Sequence, residues 1–303
     1  MIYRTYLGLD LQPQALRAVA LRRQGKLTTL AGGRLLGLDE GVLVPSFRSP
    51  NIKDIERFID GLTEVLDPLA AKEDRLSLAL PEQAGIQMLV DIEAPMKSKA
   101  EGIEVLKWQL RDKLPEDVAL QLDYQVLHRD ENGRQKLLVV CMSADVLVQY
   151  EEVLNQAGYG AEVIGFRSMG LLNYYRSRLD LGDNFVLIHV EDANMTFQYF
   201  QNQMLSFHRS RIVDGEIENV FREINRSLAG EQDRFSGINR APVFIHSNWD
   251  IKEDLPAALS SLFSLEPVLL KPSMEKLTSE PLALTEKQTL SLVTAIGSAE
   301  RLM

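Results

Sequence analysis

The sequence predicts an α/β protein of two similar halves, with a small α+β unit inserted into the first. Three observations carry this. The chain opens on an apolar strand, an acidic turn and a second strand, Tyr6 to Leu21, with a third strand behind it. The same three-strand pattern returns at Phe185. Between Glu82 and Met142 lies a strand, a helix and a hairpin that belong to neither pattern.

Taken in order, the opening hairpin turns at Gln12-Pro13-Gln14, and Leu27 to Leu38 supplies the third strand. From Asn51 to Leu69, Ile52, Ile55, Phe58, Ile59, Leu62, Val65 and Leu66 share one helical face. Leu76 to Leu80 is a short buried strand closed by Pro81, so the first eighty residues read β-β-β-α-β, the core of a ribonuclease-H-like half.

Within the insertion, Ile86 to Ile92 alternates as a strand, and Ser98 with Glu101 forms a capping-box pattern that opens a helix expected to run to Pro115. Two strands follow, Leu122 to His128 and Gln135 to Met142, around an Asn132-Gly133 turn. Ser143 is placed to cap a helix that Gly158 ends; a strand at Ala161 to Ile164 and a helix from Ser168 to Leu179 complete the first half.

The second half repeats the opening. Phe185 to Val190, the polar tip Glu191 to Asn194, Met195 to Phe200 and Met204 to Ile212 are its strands. A helix from Glu216, a strand at Val243 to Ser247, a helix at Ile251 to Phe263, a short strand at Val268 to Leu270 and a last helix from Thr285 follow. The expected division is 1–81 with 143–180, then 82–142, then 181–303.

Composition limits the partners. At 303 residues, with 45% hydrophobic and 25% charged residues, the chain reads as globular, and its net charge of −10 disfavours nucleic acid and anionic lipid and suits a basic partner segment. Cys141 is the single cysteine, which excludes an intrachain disulfide and any multi-cysteine zinc site; its apolar strand makes it an inert thiol. No signal pattern precedes Arg4 and no run of about 18 apolar residues occurs, so the expected location is cytoplasmic.

Other polar residues have structural readings. His189 and His246 read as satisfied core or cleft-edge histidines, not a metal pair, while His128 and His208 read as exposed. Arg17, Arg22 and Arg23 read as solvated, and Asp10 either bonds its own turn or keeps a cation. Trp108 reads as core of the small unit or as a wall that anchors a peptide.

Several stretches together resemble PilM-type pilus assembly proteins. They are the helix and Pro of Ile103 to Pro115, the following Leu122-Asp123-Tyr124-Gln125-Val126-Leu127, and Leu137 to Gly158 with Glu162-Val163-Ile164. The resemblance implies an actin-like fold similar to the division protein FtsA, with an extra α+β subdomain at 82–142. It also implies a place in the type IV pilus inner-membrane platform, peripheral to the membrane. The partner it implies is the cytoplasmic N-terminal peptide of a bitopic membrane protein, held beside the extra subdomain, with other platform proteins around it. Relatives serve type II secretion.

The nucleotide loops depart from that family. Gly8, Asp10 and Arg17 match its first loop, but Gln12 stands where Gly is expected. In the second loop His189 replaces Asp and Glu191 replaces Gly, with Thr196 retained; His246-Ser247-Asn248-Trp249 replaces a Gly-rich run. Side chains at Gln12, Glu191 and Asn248 would fill space that phosphates and adenosine need, and Pro13 offers no N–H. The helical wall between Asp214 and Val243 is also short. The expectation is a non-catalytic scaffold with no cofactor, no metal and no catalytic residue. An ATP- and Mg²⁺-binding actin-like protein is the alternative, resting on Asp10, Arg17 and Thr196, and a filament-forming protein is a third reading.

Overall fold

The computed structural model describes residues 4–25, 27–93, 96, 98–231, 233–274, 277–278 and 284–303. The first three residues, read above for a targeting signal, lie outside these, as does Gln232 of the loop before the strand at Val243.

Strands β1 (Arg4–Gln12), β2 (Ala15–Gln24) and β3 (Leu27–Gly37) form an antiparallel run, to which β4 (Arg75–Leu80) and later β8 (Gly160–Phe166) add in parallel, giving the order β3-β2-β1-β4-β8. The second half builds the same sheet. Strands β9 (Phe185–Glu191), β10 (Asn194–Gln201), β11 (Met204–Ile212), β12 (Val243–Ser247) and β13 (Val268–Leu269) stand in the order β11-β10-β9-β12-β13. The two ribonuclease-H-like halves expected from the sequence are therefore present. A third sheet, β5 (Ile86–Ile92), β7 (Gln135–Ser143) and β6 (Leu120–Arg129), carries the helix α2 (Lys99–Leu110).

Burial explains the layering. Along β1, Leu7, Leu9 and Leu11 face one way and meet α1 (Ile55–Ala70) and α3 (Ala144–Gln156) through Phe58, Leu62 and Tyr150. Tyr6 of β1, with Val19 and Leu21 of β2, joins α4 (Arg167–Arg176) and α7 (Glu286–Ala299), and across them the second sheet's Phe185 and Leu187. The far face of the second sheet packs on α5 (Ile217–Glu231) and α6 (Leu255–Leu259). The result is five layers, with α4 and α7 shared between the sheets.

Helix α7 opens on a full capping box between Thr285 and Gln288, and every residue from Leu290 to Ala299 is buried. Backbone fits against backbone around it. A Cβ on Gly297 would stand 2.0 Å from the carbonyl oxygen of Gly170 in α4, and one on Gly8 of β1 would stand 2.1 Å from that of Ala295. Gly8, matched above to a phosphate loop, is thus required by helix packing.

Four local expectations are corrected. Helix α1 starts at Ile55, capped by Asp54, while Asn51 binds the loop carbonyls of Ser46 and Ser49. Helix α2 stops at Leu110, well short of Pro115. Ser143 holds the cap position of α3, but its hydroxyl makes no cap hydrogen bond. The expected helix from Ile251 to Phe263 is three short turns, Lys252–Asp254, Leu255–Leu259 and Ser260–Leu262.

Candidate functional site

The two hairpin tips face one another where the halves meet. The β1–β2 tip is formed by Pro13 and Gln14, both with negative φ, so it needs no glycine. At the β9–β10 tip Asp192 takes φ +49°, a left-handed conformation that Asp tolerates.

Residues behind these tips form a buried ion network. Asp10 and Arg17 are cross-strand partners on β1 and β2. Arg167, first residue of α4, donates from Nε to Asp10 Oδ1 at 2.7 Å and from Nη2 to Asp10 Oδ2 at 3.3 Å, and its Nη2 also binds Glu191 of the other half. Arg17 Nη1 donates to both Glu191 oxygens at 3.4 Å, and its Nη2 reaches Asp192 Oδ2 at 3.0 Å. Gln12 turns its amide oxygen onto Arg167. Two buried carboxylates thus meet two buried guanidinium groups, with half-exposed Asp192 at the rim. Burial would raise the pKa of Glu191, but Arg167 and Arg17 hold it well below the usual carboxylate range. For Asp10 burial outweighs the same arginines and pushes the pKa up.

This overturns two readings. Arg17 is buried and paired, although Arg22 and Arg23 are exposed as expected. Asp10 bonds a distant arginine and not its own turn. Arg167 precedes the helix expected from Ser168, but α4 begins at Arg167 itself, where a cation opposes the macrodipole and is held by the nearby anions. Glu82 supplies one more, accepting from the Ser168 N–H at 2.8 Å.

The second half adds imidazoles. His189 and His246 are paired across β9 and β12, with ring centroids 5.3 Å apart. His189 Nε2 lies 3.0 Å from Glu191 Oε2, and Tyr175 binds His246 Nδ1 at 2.8 Å. Thr196 is buried opposite His189. Asn248 fills the space beside this cluster, contacting Asp192 and Ser291 of α7, while Ser247 Oγ accepts from the Trp249 N–H.

His208, expected at the surface, turns a side chain only 6% exposed toward Glu82, its Nε2 3.7 Å from that carboxylate. Burial lowers the pKa of His208 to about 4, and burial, opposed by Glu191, lowers that of His189 to about 4. Both folded values lie below the unfolded value of about 6.5, so the unfolded chain binds more protons between these limits. Their contribution is complete above pH 6.5 and is lost as pH falls toward 4. Each histidine should remove about 2 kcal/mol between pH 7 and pH 5, softened by Asp10 and Glu82, whose raised pKa values act in the opposite sense. Urea midpoints at the two pH values, compared with those of His208→Gln, check this; a drop of equal size in the variant would exclude a neutral, buried His208.

A groove separates the small sheet from the first half. Two adjoining cavities of about 510 and 430 Å³ share Asp123, Val140, Ile164, Gly165 and Phe166. They lie between β6 and β8, each an edge strand of its sheet. Helix α2 turns Lys99 and Ile103 toward the groove, and Glu151 and Glu162 stand on its rim. Trp108 is neither core nor groove wall: it is 69% exposed and stacks under Arg111. Cys141 is buried at the groove floor, and burial pushes its thiol pKa up to about 11. No helix among the described residues is long and apolar enough to cross a membrane.

No protein-family model matches the chain, and no curated protein sequence does. Solved structures do match. A PilM–PilN type IV pilus biogenesis complex superposes with a TM-score of 0.82 at 15% identity, covering 98% of each chain. A Bacteroides thetaiotaomicron protein with an actin-like ATPase fold gives 0.57 at 11% identity over 95% of each chain. The cytoplasmic domain of EpsL, an inner-membrane component of the Vibrio cholerae type II secretion system, gives 0.53 at 10% identity, covering 96% of this chain and 94% of that one. The fold is actin-like.

Proposed function

We propose that this protein is a non-catalytic scaffold of a type IV pilus inner-membrane platform, peripheral to the membrane, that holds the cytoplasmic N-terminal peptide of a bitopic partner. The observation that carries the non-catalytic reading is the ion network of Asp10, Arg17, Arg167 and Glu191. Glu191 takes both guanidinium groups that a polyphosphate would need, Gln12 lies on Arg167, and Pro13 has no N–H to donate. The residues present do not fit a triphosphate with Mg²⁺.

The peptide reading rests on the groove and on the full-length likeness to a protein solved with PilN. The free edge of β8 offers unpaired backbone groups, so an extended segment adds there as a strand while its side chains enter the apolar floor. Glu151 and Glu162 on the rim favour lysine or arginine in that segment, while Asp123 is paired with Lys99.

Calorimetry with synthetic N-terminal peptides of candidate partners tests this. Binding in the micromolar range is expected, and Glu151→Lys with Glu162→Lys, both exposed, should weaken it about tenfold or more, near 1.4 kcal/mol. Absence of binding at high micromolar peptide would sink the scaffold reading. Millimolar Mg-ATP should leave the melting temperature unchanged, since occupancy at 100 times Kd would add about 2.7 kcal/mol.

A further inference from the structure

We propose that His189, Glu191 and His246 form a binding site for a first-row divalent transition ion of the zinc class. The backbone sets the arrangement. His189 and His246 are register partners on neighbouring parallel strands and so project to one face, and Glu191, two residues beyond His189, projects to the same face. Their ligand atoms all lie within 4.8 Å of one another. His189 Nε2 is 3.0 Å from Glu191 Oε2, and His246 Nε2 is 3.7 Å from Glu191 Oε1. Around an ion with bonds of about 2.0–2.1 Å, tetrahedral ligands stand roughly 3.3 Å apart; the two distances, one to each oxygen of Glu191, put both imidazoles beside the same carboxylate.

A second, independent observation points to a ligand. His246 is fully buried, yet its Nε2 has no hydrogen-bond partner. Such an orphan costs about 1–3 kcal/mol. The other ring nitrogen is tied to the Tyr175 hydroxyl at 2.8 Å, which fixes the ring with Nε2 aimed at Glu191. A metal-bound imidazole is oriented in this way, by a polar group on its far nitrogen. Two imidazoles and one carboxylate suit first-row divalent ions and are poor ligands for Mg²⁺.

The arginines set the consequence. Arg167 and Arg17 both already bind Glu191, so the ion shares the carboxylate with two guanidinium groups. Coordination draws charge from the carboxylate that links the second half to Arg17 and Arg167 of the first. The site would therefore couple ion binding to the junction between the halves, with micromolar rather than nanomolar affinity.

Titration of the full chain with Zn²⁺ by calorimetry, and with Co²⁺ followed by visible absorption, tests the proposal. One ion per chain is expected, with tetrahedral Co²⁺ bands. His189→Gln and His246→Gln should each weaken binding at least tenfold. His128→Gln, at an exposed histidine, should leave it unchanged. If either glutamine variant unfolds by circular dichroism, Tyr175→Phe, which removes only the orienting hydroxyl, should still weaken binding about tenfold. The proposal is overturned if no ion binds below 1 mM on the order set for adventitious sites, if affinity survives both histidine changes, or if it is lost with His128.

Discussion

Arg167→Met should lower the stability of the protein by about 3–5 kcal/mol, because it leaves Asp10 without its bidentate partner and Glu191 with Arg17 as its one buried arginine beside His189. The side chain it replaces is 2% exposed, so water cannot take the guanidinium's place. Coulomb attraction is not what the protein loses. A buried ion pair roughly breaks even against an apolar pair of the same shape, and the damage comes from the charge left behind. The double variant Arg167→Met with Asp10→Asn should therefore recover much of the loss, with a coupling energy of about 1–3 kcal/mol in a double-mutant cycle. Urea denaturation measures both. Additive losses would show that Asp10 and Arg167 do not act as a pair. Salt should change the result little, since the pair is buried and weakly screened.

Gly297→Ala is the second large effect, and its sign is decided by two opposed magnitudes. Alanine in a helix interior is favoured over glycine by about 1 kcal/mol. Against this, the new methyl would meet the Gly170 carbonyl oxygen at 2.0 Å, and both atoms belong to backbone that no rotamer change can move. Overpacking of this kind costs about 1–3 kcal/mol and sometimes more, so with a backbone oxygen at this distance a net loss of roughly 1–2 kcal/mol and a melting temperature several degrees lower are expected. Gly230→Ala in α5 is the matched comparison. Nothing lies within 4 Å of its added methyl, so the same substitution should stabilise. Thermal melts that move both variants in one direction would refute the packing argument.

Most of the fold was legible because it is written in local patterns. The apolar runs of β1, β9 and β10, the apolar face of α1 and the helix from Thr285 depend on neighbours in sequence, and these elements stand close to where those patterns put them, α1 starting at Ile55. The misses share a cause. Arg17, His208 and Trp108 were judged by their own strand or helix, and each is governed by a distant residue or by none. Arg17 is buried because Glu191, 174 positions away, meets it. Trp108 is exposed because α2 commits Leu106 and Leu110 to the small core and leaves its opposite side unpartnered. At the candidate site Asp10, Gln12, Glu191 and Asn248 could be named from the degenerate loops. The compensation by Arg167 could not, since no periodicity relates the first turn of α4 to the ends of β1 and β9.

The position of α7 bears on how the chain is made. This helix is encoded after every strand, yet it covers β1, β2 and β4, which emerge first. During synthesis the nascent first sheet lacks α7's share of the cover over Tyr6, Val19 and Leu21 until nearly three hundred residues have been made. The first half lacks this cover until the last helix is made, and ribosome-bound chains lacking α7 should remain protease-sensitive in the first half, whose sheet α7 packs on.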